Sequence, residues 1–150
     1  MANQNLASQC EVFNQITEAQ LVSATNAFVD AFVRGCTPTF VEQTRLKACI
    51  AVYCTHIRNT GDEPRMYADV YEPVAKAEGL YAELIRRPVS TCIRRAWYRI
   101  HPNLFHSDFW TLTFTGAYTR KPPVNNVFMH MAACAVEAFI KEDMLNGNEK

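Results

Sequence analysis

Seven basic side chains fall within thirty-six residues of this chain: Arg86, Arg87, Arg94, Arg95, Arg99, Arg120 and Lys121. A guanidinium is a planar fork that can grip a phosphate through two parallel hydrogen bonds. Aromatic residues lie among them, and Tyr98, Phe105, Phe109 and Tyr118 are placed to offer ring faces on which bases stack. Charge sorting makes the cluster stand out. Residues 84–136 carry one acidic side chain, Asp108, and a net charge of +6, whereas residues 1–83 carry −4 and residues 137–150 carry −2. The formal net charge of zero hides these blocks. Arginines and tyrosines in such a block suit a nucleic-acid strand. They also suit an acidic protein surface, or an acidic face on a second copy of the chain. A solvated basic face, or salt bridges to the acidic helix bearing Glu72, Glu78 and Glu83, would account for the same arginines. A sequence pI of 6.9 argues against a dedicated nucleic-acid domain, for which values above ~9 are usual.

Other groupings could do chemistry and are weaker. Cys49-x4-Cys54-x-His56 and His130-x3-Cys134 offer five metal-ligand side chains, of which four would make a tetrahedral zinc site. No C-x2-C knuckle is present, and Cys49 and Cys54 lie about 140° apart around a helix of 3.6 residues per turn. These groups read as buried thiols beside incidental histidines. His101-x4-His106-x-Asp108 could serve acid–base chemistry, and it equally describes an ordinary polar loop. No Cys or Ser carries the local signature of an activated nucleophile. All five glycines are isolated, so neither glycine-rich phosphate loop is present. The sequence therefore points away from a nucleotide-hydrolysing or dinucleotide-binding enzyme, with no catalytic residue, metal or cofactor expected.

The elements that must position the basic block read as helices. Residues 1–15 are polar and weakly patterned, an arm that orders only on docking. Thr17-Glu18-Ala19-Gln20 is a capping box, with Ile16 and Leu21 as a hydrophobic staple. Leu21, Thr25, Phe28 and Phe32 make its stripe, Val22, Val29 and Val33 widen it, and Gly35 closes it. A second capping box at Thr39 and Glu42 opens a helix with an inner face of Val41, Leu46, Cys49, Ile50, Tyr53 and Ile57, ended by Asn59-Thr60-Gly61. The short connection predicts an antiparallel pair.

Between residues 62 and 88 the pattern is broken. Asp62-Glu63-Pro64 suits a helix start, Pro73 a second one, Gly79 weakens it, and Pro88 ends it. Ser90 caps a helix to about Ile100, with Ile93, Ala96, Trp97 and Ile100 inward and Arg94, Arg95 and Arg99 outward. Phe109–Thr119 alternates apolar residues with threonine, a strand signature. Its backbone needs a partner: its own hairpin around Gly116, Met66–Tyr71, or another subunit. The last helix spans about Asn126 to Leu145, with Val127, Met131, Cys134, Ala135 and Ala138 inward, an Asn146-Gly147 C-cap and a short tail.

The fold class is mainly α: one helical bundle of four to six helices over 1–150, with a single short extended element near 109–119. No apolar run reaches the ~18 residues that cross a bilayer. The six cysteines and the lack of an export signal in Met1–Gln15 point to reduced thiols in the cytoplasm. The expected function is a non-enzymatic, self-assembling nucleic-acid-binding subunit, coat-like or viral nucleoprotein-like, with RNA as partner and a homo-oligomeric state. Arg86, Arg87, Arg94, Arg95, Arg99, Arg120, Lys121, Tyr98 and Tyr118 would carry it. The alternative is a protein-interaction module that places the same face on an acidic partner, with a small enzyme using His101, His106, Asp108 or a Cys–His pair as a third and weaker reading.

Overall fold

The computed structural model describes residues 11–34, 37–97 and 124–148. Within them the chain is a helical bundle of five α-helices: α1 (Glu18–Phe32), α2 (Phe40–Thr60), α3 (Glu72–Ala77), α4 (Glu83–Trp97) and α5 (Asn125–Asn148). A 3₁₀ turn (Glu11–Gln15) precedes α1, and a π-helix (Met66–Tyr71) runs into α3. The described residues contain no strand. Phe109–Thr119, Gly35 and residues 1–10 lie outside them. Pairing of a strand with Met66–Tyr71 is excluded, because that segment is helical.

Local chemistry sets the boundaries of the first two helices. Thr17 Oγ1 accepts from Gln20 N–H at 3.1 Å, and the Gln20 side chain accepts from Thr17 N–H at 2.8 Å. Thr39 and Glu42 repeat this at the same distances. Each box satisfies two amide donors that a helix start leaves open. Gly61 ends α2 in the left-handed region (φ 76°), which only glycine enters without strain. The two helices are antiparallel. Arg58, near the end of α2, donates to the Ile16 carbonyl just before α1, while Lys47 pairs with Asp30 toward the end of α1.

Pro73 lies at the start of α3, where the pattern placed it, but Gly79 and Pro88 do not act as expected. Gly79 does not weaken a helix; it stops one. Its φ is 68°, its N–H donates to the Lys76 carbonyl and that of Leu80 to the Ala75 carbonyl, the paired bonds of a Schellman cap. Pro88 does not end a helix but lies inside α4. Its ring forgoes one hydrogen bond, to the Leu84 carbonyl, and the packing of Ile85, Val89, Cys92, Ile93, Ala96 and Trp97 holds the helix together across it. Ser90 is accordingly mid-helix rather than a cap. Likewise α5 passes through Gly147 to Asn148, so Asn146-Gly147 is not a C-cap.

The core lies where α2 meets α1, α4 and α5, and where α1 meets α5. From α1 it receives Leu21, Phe28, Val29 and Phe32; from α2, Leu46, Cys49, Ile50, Tyr53, Cys54 and Ile57. Val12 and Phe13 of the 3₁₀ turn are buried too, so the end of the expected arm is docked. Three valines placed inward by the pattern are exposed: Val22, Val41 and Val127. Val41 loses its place to Glu42, which lies four residues before Leu46 and so on the inner line. In α5, residues 128–133 and 135–137 are buried except for the half-buried His130, leaving no single stripe for Val127 to join.

Candidate functional site

Four of the predicted phosphate-binding arginines, Arg86, Arg87, Arg94 and Arg95, are on α4. Arg99, Arg120, Lys121, Tyr98 and Tyr118 lie outside the described residues, as do His101, His106 and Asp108. Because the buried line of α4 runs 85–89–92–93–96–97, the arginines are carried on its flanks and outer face. Trp97 is buried, as a core residue should be.

Three of the four are held by carboxylates of the acidic segment. Arg86 grips Glu83 side-on, Nε donating to Oε2 at 2.9 Å and Nη2 to Oε1. Arg87 Nε reaches the same carboxylate at 3.4 Å. Tyr67 Oη donates to Glu83 Oε2 at 3.1 Å. Arg95 Nη1 donates to Glu42 Oε1 at 3.0 Å, so one glutamate both caps α2 and anchors α4. Arg94 is exposed and has no carboxylate partner among the described residues. The acidic and basic blocks thus meet within one chain. Arg87 nevertheless keeps 72% of its side chain exposed. Exposed ion pairs contribute ~0–1 kcal/mol, which a phosphate can displace.

Hydrogen bonds from Arg86, Tyr67 and Arg87 hold the Glu83 carboxyl down to about 2, against an ordinary 4.5. A depressed carboxyl stabilises the fold above its ordinary range, and that contribution is lost as pH falls from about 4.5 toward about 2. Glu83→Gln is therefore expected to flatten the acid limb of stability over that interval. Denaturant midpoints of both proteins at several acidic pH values check this, and parallel profiles would show that Glu83 contributes nothing there.

Beside this cluster an open cleft of about 610 Å³ lies between the π-helix, α4 and the start of α5. Tyr67, Tyr71, Arg86, Ser90 and Asn125 line it, with Glu63 among the remaining wall residues. Asn125 Nδ2 donates to both Tyr71 Oη and Ser90 Oγ, each at 2.8 Å. Burial pushes the Tyr71 phenol up to about 12. Of these residues the sequence pattern singled out Arg86 for binding. Tyr71, Ser90 and Asn125 are 19 to 54 residues apart in the chain, and no spacing announces them. A local signal was the Tyr67–Tyr71 pair one turn apart, whose rings meet edge to face at 5.3 Å.

The metal-ligand groupings do not converge. Among the described residues no cluster of three or more His, Cys, Asp or Glu side chains is arranged to hold an ion. His56 faces Asp69 at 4.0 Å, while donation of a hydrogen bond from the His130 imidazolium to Cys134 raises the pKa of His130. Burial drives Cys49 up to about 12 and Cys54 higher still, the behaviour of protonated apolar thiols. No described helix is long and apolar enough to cross a membrane. Comparison with protein-family models, curated proteins and solved structures finds no match to this chain.

Proposed function

We propose that this chain is a non-enzymatic subunit that binds single-stranded nucleic acid, RNA in particular, along the outer face of α4 and assembles on it. The observation that carries the reading is the exposure of Arg87 and Arg94, seven residues apart. That spacing returns to the same side of a helix after two turns, about 10 Å along its axis. Arg86 and Arg95 flank them, and Glu83 and Glu42 orient these two without burying them. Arg99, Arg120 and Lys121 extend the basic stretch in sequence, and Tyr98 and Tyr118 supply ring faces. A neutral total charge suits subunits that must stack on one another.

The test is fluorescence anisotropy of a labelled RNA oligonucleotide against salt. A strand held by about five phosphate contacts loses roughly a hundredfold in affinity between about 50 and about 200 mM salt. Arg87→Glu with Arg94→Glu is expected to weaken binding and make the salt dependence shallower. Absence of binding at low salt, or a flat salt response, would overturn the reading.

A second reading, an interaction module that places the same basic face on an acidic protein surface, is favoured by apolar side chains beside that face. Phe40 is 82% and Val41 56% exposed on the first turn of α2, next to the Glu42–Arg95 pair. Exposed apolar side chains beside charge are common at protein interfaces. Partner capture that survives nuclease and fails on charge reversal of Arg94 and Arg95 would favour it.

A further inference from the structure

We propose that the cleft between the π-helix, α4 and α5 is a receptor for a phosphate group, assembled from Ser90, Tyr71, Arg86 and the first amides of α5. The proposal deepens the nucleic-acid reading and rests on it for a strand as the source of that phosphate; a small phosphorylated molecule is the other source.

Two hydroxyl protons at the cleft have no acceptor among the described residues. Ser90 Oγ and Tyr71 Oη each accept from Asn125, so each must direct its own O–H elsewhere. Thr25, Thr44 and Thr60 donate theirs to the carbonyl four residues back, at 2.8–2.9 Å. Ser90 and Tyr71 have no such acceptor among the described residues. Tyr71 is 2% exposed, yet it lines the cleft. A nearly buried phenol held by its oxygen, with no acceptor for its proton among the described residues, is set to donate into that space. Its raised pKa keeps the proton in place through the physiological range.

Further donors converge on the same space. The side-on bond to Glu83 engages Nε and Nη2 of Arg86 and leaves Nη1, which has no partner among the described residues. Val124, the residue before α5, has no side-chain oxygen to cap that helix. The N–H groups of Asn125, Asn126 and Val127 find no acceptor among the described residues, and the positive end of the helix dipole lies at the cleft wall. Donors from three elements suit the tetrahedral oxygens of a phosphate better than the single plane of a carboxylate. At about 610 Å³ the cleft has room for an organic group beyond the phosphate. Tyr67 could stack on a base there. Glu63 could accept from a sugar hydroxyl.

Isothermal titration of the full chain with inorganic phosphate, a 5′-mononucleotide and the corresponding nucleoside tests the site, and a single-stranded RNA oligonucleotide tests the source. Phosphate and mononucleotide are expected to bind and the nucleoside not. Tyr71→Phe with Ser90→Ala is expected to weaken both by about tenfold or more, since two hydrogen bonds to a charged group are lost. Should the double variant unfold, Ser90→Ala alone keeps a good helix former in place and still removes one donor. Mononucleotide binding that the variants leave unchanged overturns the site, as does acetate competing as well as phosphate. Oligonucleotide binding with no mononucleotide binding overturns the site and leaves the strand reading standing. Mononucleotide binding without oligonucleotide binding upholds the site and assigns it to a small phosphorylated molecule.

Discussion

Replacing Phe32 by Ala is expected to lower the unfolding free energy by about 4 kcal/mol, near the middle of the range for deleting a buried phenyl ring. Phe32 is fully buried at the C-terminal end of α1. Its ring stacks on Phe28 with centroids 6.0 Å apart and tilts against Phe128 of α5 at 5.1 Å. Phe28 in turn meets Phe139 edge to face at 6.4 Å. The substitution therefore breaks two aromatic contacts and opens a void where α1 and α5 meet. Helices on either side are fixed by other contacts, so the void cannot collapse fully, and the residual cavity adds to the lost transfer energy. Phe40→Ala, at a ring that is almost wholly exposed, is the contrast, with a change within about 0.5 kcal/mol. Urea denaturation of both variants decides. A Phe32→Ala cost below about 1 kcal/mol would mean that the α1–α5 seam does not hold this bundle together.

The comparison of Phe32 with Phe40 also marks where sequence reasoning succeeds. Phe32 follows Leu21, Thr25 and Phe28 on a single stripe, and the helix period alone places it inward. Thr17, Thr39 and Gly61 were legible for a similar reason: a cap depends on residues within one turn. The segment from Met66 to Pro88 was not legible, because its punctuation depends on the surroundings. Proline at position 88 breaks an isolated helix, yet six buried side chains on α4 outweigh the one bond it removes. Gly79 carries no label saying whether it interrupts a helix or terminates one; the Ala75 carbonyl that accepts from Leu80 decides that.

The candidate site divides along the same line. That arginines leave the α4 core face follows from periodicity. The pairing of Arg86 and Arg87 with Glu83, one turn away, follows from the same spacing; that of Arg95 with Glu42 does not, since the two are 53 residues apart. The acidic and basic blocks suggested a head-to-tail contact between copies. The described pairs close part of that complementarity inside the chain, and Arg94 and the exposed flank of Arg87 are what α4 keeps free to offer outward. The Tyr71–Asn125–Ser90 contact is tertiary throughout, so no window of sequence contains it.

Glu42 is where stability and the proposed binding pull in opposite directions. Glu42→Ala removes the acceptor for Thr39 N–H and the partner of Arg95 together, at an expected cost of about 2 kcal/mol. Glu42→Gln separates the two. A glutamine at this position still accepts from the Thr39 amide, as Gln20 does for Thr17, so the cap survives and the charge pair is lost. Arg95 is nearly half exposed, and such pairs contribute under about 1 kcal/mol, so Glu42→Gln is expected to cost less than half of Glu42→Ala in urea denaturation. Equal costs would assign the larger share to the ion pair with Arg95. The same glutamine variant frees a guanidinium beside Arg94 and removes a negative charge from that end of α4. If α4 is the strand-binding face, Glu42→Gln binds RNA more tightly than the parent chain while unfolding more easily. If both affinity and stability fall, Arg95 serves the bundle and not the strand, and the binding face must do without Arg95.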